Sequence, residues 1–208
     1  TALYERTWPT NTEALAHLVY LHGYADHCGR FKTPAPSLNE ANLAVHAYDQ
    51  RGHGKSPGRR GFIQNFSQSV QDLEDYLDFI ARRTEGKPLF ILGHSVGGLL
   101  LATLVQKRRN FATGLLFSSP YLATTDQVSP ILIACAGFLG RVLPFLPVQS
   151  IDSNNITDNP ELLRAYNDDP LIFHGKVQAR TGAELVRAVR DARAATDAAF
   201  VVRHRRAT

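Results

Sequence analysis

The sequence runs to 208 residues, 44% of them hydrophobic, with two cysteines and a formal net charge of +4. That length suits one domain with a sizeable core, and two cysteines exclude a disulfide framework or a cysteine metal site, which favours a reducing compartment. The surplus charge belongs to the tail, where six arginines from Arg187 onward face only Asp191 and Asp197, so the balanced body gives no electrostatic case for a nucleic-acid partner.

Residues 3–8 read as a short edge strand stopped by Pro9. The apolar run 14–21 reads as a buried strand that delivers His22-Gly23-Tyr24. This loop is compatible with an ordinary glycine turn and with one that swings a main-chain N–H toward a nearby reactive group. A helix is expected over 31–41, weakened by Pro34 and Pro36. The strand 43–48 then feeds a polar, glycine-rich loop, Asp49-Gln50-Arg51-Gly52-His53-Gly54-Lys55-Ser56, at the end of the sheet where ligand sites gather. Asp49 and Arg51 are expected to pair with each other and shape that loop.

Phe66, Val70, Leu73, Leu77 and Ile80 recur at helical spacing, with Asp72, Glu74, Asp75 and Asp78 assigned to a solvated face. A buried strand over 89–92 comes next, followed by Gly93-His94-Ser95-Val96-Gly97 and an apolar helix to about residue 109. This is G-x-S-x-G in the strand-turn-helix setting the motif requires. The glycines leave room for a turn tight enough to lift Ser95 off the sheet, and the Val96 N–H, at a helix start, is free for an oxygen beside the serine. On this reading Ser95 is a nucleophile, and the Tyr24 and Val96 amides stabilise a developing oxyanion. A further strand covers 114–118.

The alternation of strands and helices predicts an α/β fold with a mostly parallel sheet and flanking helices. It breaks after residue 121. The stretch 130–148 is apolar, but its prolines and Arg141 oppose a membrane span and favour short helices forming a water-excluding cap. The expected organisation is a core over 1–122, a helical cap over 123–183, and a return to the core over 184–208, with a strand at 200–202.

The segments LHGYADHCGRF (21–31), YDQRGHGKSPGRRGFI (48–63), LFILGHSVGGLLLA (89–102) and LLFSSPYL (115–122) together resemble the monoacylglycerol lipase and lysophospholipase group of α/β-hydrolases, near the serine aminopeptidase-like hydrolases. The resemblance implies an α/β-hydrolase fold with a cap, and a carboxylic ester hydrolase acting on a lipid ester through an acyl-enzyme on Ser95. His22, Gly23, Gly93, His94 and Gly97 would support the motif; no cofactor or metal is implied. The reducing compartment suggested by the cysteine count makes a cytoplasmic protein the expectation, with transient contact between the cap and a membrane surface.

The family places its acid in an HGxxD turn after the cap and its histidine further on, and neither is present in these 208 residues. The chain is therefore expected to be C-terminally truncated, without the last strands of the fold, and to have little activity by itself. His204, His174, Asp191 and Asp197 have no spacing that sets them beside Ser95. An acyltransferase or peptidase using the same serine is an alternative, as is a non-catalytic lipid-binding protein.

Overall fold

The computed structural model describes residues 2–123, 137–151 and 156–199. Five strands form the central sheet: β1 (Glu5–Trp8), β2 (Ala16–Leu21), β3 (Leu43–Tyr48), β4 (Leu89–His94) and β5 (Gly114–Ser118). Their spatial order is β1-β3-β2-β4-β5, with β1 antiparallel to β3 and every other pair parallel. β2 is buried at all six positions because it is central and covered on both faces.

One face carries α2 (Phe66–Ala81), α3 (Val96–Lys107) and α5 (Ala179–Ala199); the other carries a 3-10 turn, Cys28–Lys32, and the short α1 (Ala35–Glu40). Val19, Leu21 and Ile91 pack with Leu73, Leu99 and Leu185 on the first face, whereas Leu18, Tyr20 and Val45 pack with Cys28 and Phe31 on the second. A peripheral helix, α4 (Pro160–Asn167), and a two-stranded ribbon of β6 (Pro147–Gln149) and β7 (Val177–Gln178) lie outside this sheet. The α/β-hydrolase reading of the fold is correct in its parallel sheet and flanking helices.

Three local expectations need correction. The helix over 31–41 is split into the 3-10 turn and α1, because Pro34 and Pro36 lack the N–H groups that would continue it. Arg51 does not pair with Asp49. Its guanidinium grips Asp72 through two contacts of 2.5 and 2.8 Å, while the fully buried Asp49 carboxylate accepts from the Cys28 and Lys55 backbone N–H groups, both at 2.7 Å. Asp72 consequently leaves the solvated face assigned to it and is buried.

The boundary expected between 183 and 184 falls inside α5, which is continuous there. Two buried side chains tie this helix to the start of α2. The Thr181 hydroxyl accepts from the Ile63 N–H and the Glu184 carboxylate from the Phe66 N–H, both at 2.9 Å. Arg180 and Arg187 compensate the Glu184 charge at 3.1 and 2.5 Å. The strand expected at 200–202 lies outside the described residues, as does most of the apolar stretch before residue 137.

Removing Glu184 leaves a buried N–H without its acceptor and two cations without their counter-ion. Glu184→Ala is expected to lower unfolding stability by about 3 kcal/mol, whereas Glu161→Ala, at an exposed position, shifts it by less than about 0.5 kcal/mol. Urea denaturation of the two variants checks the difference.

Candidate active site

β4 ends at His94 and α3 begins at Val96, so Ser95 alone turns the strand into the helix. It adopts φ 51° and ψ −118°, a conformation that L side chains rarely tolerate and that costs about 1–3 kcal/mol. Backbone hydrogen bonds hold the corner. The Ser95 N–H donates to the Ser118 carbonyl at 3.1 Å, and the Ser95 carbonyl accepts from Tyr121 at 2.9 Å and Leu99 at 3.1 Å.

The glycines are required by close approach. A Cβ on Gly97 would lie 2.2 Å from the Leu21 carbonyl oxygen, and one on Gly93 would lie 2.7 Å from that of Gly97. Gly98 falls outside the G-x-S-x-G spacing yet meets the same constraint, since a Cβ there would come within 2.7 Å of Pro120 Cβ. The doubled glycine at 97–98 is the signal that points to it.

Strand register brings the second loop to the serine. Leu21 pairs with Gly93, so β2 and β4 release their loops at the same level. Gly23 packs directly on Ser95: a Cβ on it would stand 3.1 Å from the serine Cβ and 3.6 Å from Oγ. Tyr24 follows, its hydroxyl donating to the Gly61 carbonyl at 2.6 Å and its ring set edge-on to His53 and Phe173. Phe173 also donates its N–H to the Ala25 carbonyl at 2.8 Å, clamping this loop from the segment expected to belong to the cap. Val96 opens α3, and its N–H is one of the four at a helix start with no acceptor inside the helix.

The two flanking histidines have structural partners. His22 is fully buried; its Nδ1 lies 2.7 Å from the Gly23 carbonyl and donates to it, while Nε2 accepts from the Gln50 N–H at 2.9 Å. Those partners fix the neutral tautomer, and burial pushes its pKa down. His94 Nδ1 lies 3.1 Å from Ser118 Oγ. His53, also buried, donates from Nδ1 to the Arg51 carbonyl at 2.9 Å, and desolvation drives its pKa down to about 3.

Among the described residues no histidine is hydrogen-bonded to Ser95 Oγ. His174 sits by the Asp169 carbonyl and Tyr166, and Asp191 contacts Arg190. His204 and the Asp197 side chain lie outside what the structure describes. The described residues also contain no group of three His, Cys, Asp or Glu gathered as metal ligands.

A strained serine between a strand and a helix, faced by a His-Gly loop, is a family-level arrangement, and the model of the serine aminopeptidase S33 family matches residues 12–201. The chain belongs to this family. Among its relatives, a monoacylglycerol lipase of Mycolicibacterium smegmatis is 34% identical over 179 residues, covering 86% of this chain, and a monoglyceride lipase of Rattus norvegicus is 32% identical over 188 residues, covering 90%. This S33-family chain spans 64% and 62% of the length of those two proteins. The crystal structure of Paleococcus ferrophilus monoacylglycerol lipase superposes with a TM-score of 0.80 at 28% identity, covering 92% of this chain and 72% of that one. A soluble variant of monoglyceride lipase from Saccharomyces cerevisiae, with a TM-score of 0.76 at 22% identity over 89% of this chain and 64% of that one, shares the fold.

Two predictions follow from the corner and its neighbours. Glycine tolerates the Ser95 backbone angles and alanine does not, so Ser95→Gly is expected to be more stable than Ser95→Ala by about 1 kcal/mol in urea denaturation. Because the folded protein keeps His53 neutral, its stabilising contribution is intact above pH 6.5 and is lost as the pH falls from there toward about 3. The slope is about 1.4 kcal/mol per pH unit. Unfolding curves at pH 6.5, 5.5 and 4.5 should be flatter by that amount in His53→Asn than in the wild type.

Proposed function

We propose that this chain carries the nucleophile and oxyanion half of a lipid ester hydrolase. Ser95 Oγ attacks the ester carbonyl carbon and a base removes its proton. The carbonyl oxygen becomes an oxyanion received by the Tyr24 and Val96 N–H groups. The alcohol leaves with that proton, and water then releases the acyl group from Ser95. Each oxyanion donor in such a site contributes about 2.7–4 kcal/mol to the transition state. The observation that carries this reading is the φ of 51° at a serine packed against Gly23. Such backbone strain is retained where function demands the side chain in one place.

The substrate class follows from the relatives' names and from the cap. Monoacylglycerol lipases recur among the relatives, and a Bacillus subtilis relative is a phospholipase, so a monoacyl lipid ester is the substrate proposed. The cap presents Phe138, Val142, Leu143, Phe145 and Leu146 to the exterior. Apolar side chains exposed in one short run suit contact with a membrane surface from which such a substrate is drawn. The described helices include none long and apolar enough to cross a membrane.

Among the described residues none is assigned as the base or acid of a triad; the oxyanion donors and binding alone would retain roughly 10³–10⁴ over water. A fluorophosphonate probe followed by peptide mass spectrometry should place the adduct on Ser95, and Ser95→Ala should abolish it. Lipid binding without any adduct at Ser95 would favour a non-catalytic binding protein and end this reading.

A further inference from the structure

The arginine-rich loop after β3 is not used by the ester site, yet it borders a cleft of about 680 Å³ between itself, the start of α2 and Phe145 of the cap. That is a small-ligand volume. Ser95, Gly23 and Tyr24 take no part in its lining, so it is separate from the serine.

Arg51, Arg59 and Arg180 reach this cleft, and no aspartate or glutamate lines it. Behind the wall, Asp72 holds Arg51 and Glu184 is shared between Arg180 and Arg187. Two carboxylates thus answer four guanidiniums. Arg59 has no ion pair among the described residues; its guanidinium carbon lies 4.0 Å over the Phe145 ring. The first amides of α2 are already taken, Phe66 by Glu184 and Ser67 by the Asn65 side chain, so the helix terminus is not what recognises a ligand here. The unspent donors are guanidinium N–H groups and the Ser69 hydroxyl.

Arg59, which has no ion pair among the described residues, and Arg180, which shares its carboxylate with Arg187, leave the cleft positive, which suits a phosphate monoester carrying about −1.5 to −2 at neutral pH; guanidinium forks fit phosphate oxygens. The lining also has an apolar part. Phe62 and Phe145 stand with ring centroids 5.1 Å apart, and half-exposed Phe145 belongs to the run of exposed cap residues that includes Val142, Leu143 and Leu146. A ligand with its phosphate among the arginines would meet the Phe62 and Phe145 rings in the same cleft.

We propose that this cleft binds the phosphate monoester headgroup of an acidic amphiphile of the phosphatidic acid type. The headgroup part stands on the charge arrangement alone; the placement of the acyl chains rests on the reading that the cap meets lipid.

The test is calorimetric titration of the 208-residue chain with monomeric dihexanoyl phosphatidic acid, dihexanoyl phosphatidylcholine and inorganic phosphate. Phosphatidic acid is expected to bind at least tenfold more tightly than either of the others. Arg59→Ala, which breaks no ion pair, and Gln68→Glu, which places a carboxylate in the lining at an exposed position, should each weaken it at least tenfold. Arg59→Ala should unfold at the wild-type temperature, and both variants should keep the wild-type rate of fluorophosphonate labelling at Ser95, which separates this test from that of the hydrolase reading. Phosphatidylcholine binding as tightly as phosphatidic acid, inorganic phosphate matching the lipid, or phosphatidic acid binding that survives both substitutions would each overturn the proposal.

Discussion

Everything at the candidate site depends on one residue being held in a backbone conformation it would not choose. Ser95 stays at positive φ because the ends of β2, β4 and β5 surround it: Leu21 and His22 carbonyls press on Gly97, Gly23 lies against the serine, and Ser118 and Tyr121 bond its backbone. No single contact is strong. The corner persists because relaxing it would mean separating strands that are paired along their whole length, and an interior packed as densely as a crystal does not yield by half measures. The cost is local and small compared with the sheet that enforces it.

Charge near the site follows a different logic from shape. Asp49, His22 and His53 are all buried, and each is committed to main-chain partners. Asp49 spends its oxygens on backbone N–H groups, and the two histidines are neutral and tied to main-chain partners. They shape the loops that flank the serine. The polar groups in the vicinity therefore act as a scaffold, and the chemistry proposed for the site falls to one hydroxyl and adjoining main-chain amides.

What the sequence makes legible follows from how local each cause is. β3 and β5 can be read to the residue, because each is an apolar run bounded by turn-forming or polar residues. The Ser95 corner is legible too, since the glycines that permit it lie within three residues of it. Partnerships across space are not. Asp72 reads as a solvated acid on an amphipathic helix, and only the fold brings it to Arg51, 21 positions earlier. Phe173, within the range expected for the cap, reaches Tyr24, a contact that no spacing in the sequence announces. The ribbon of β6 and β7 spans three and two residues, too short for any periodicity to register.

The link between α5 and the loop before α2 carries a consequence for how the protein is made. Ile63 and Phe66 receive their acceptors from Thr181 and Glu184, each 118 positions later. A chain emerging from the ribosome completes α2 as a segment long before those partners exist, so its first turn stays open to water until α5 has been synthesised and docked. Closing a loop of that span is slow compared with forming a helix, and a nascent chain in that interval exposes the apolar surface that α5 will cover. Docking of α5 is thus the step that closes the start of α2, and the interval before it is where a chaperone has apolar surface to protect.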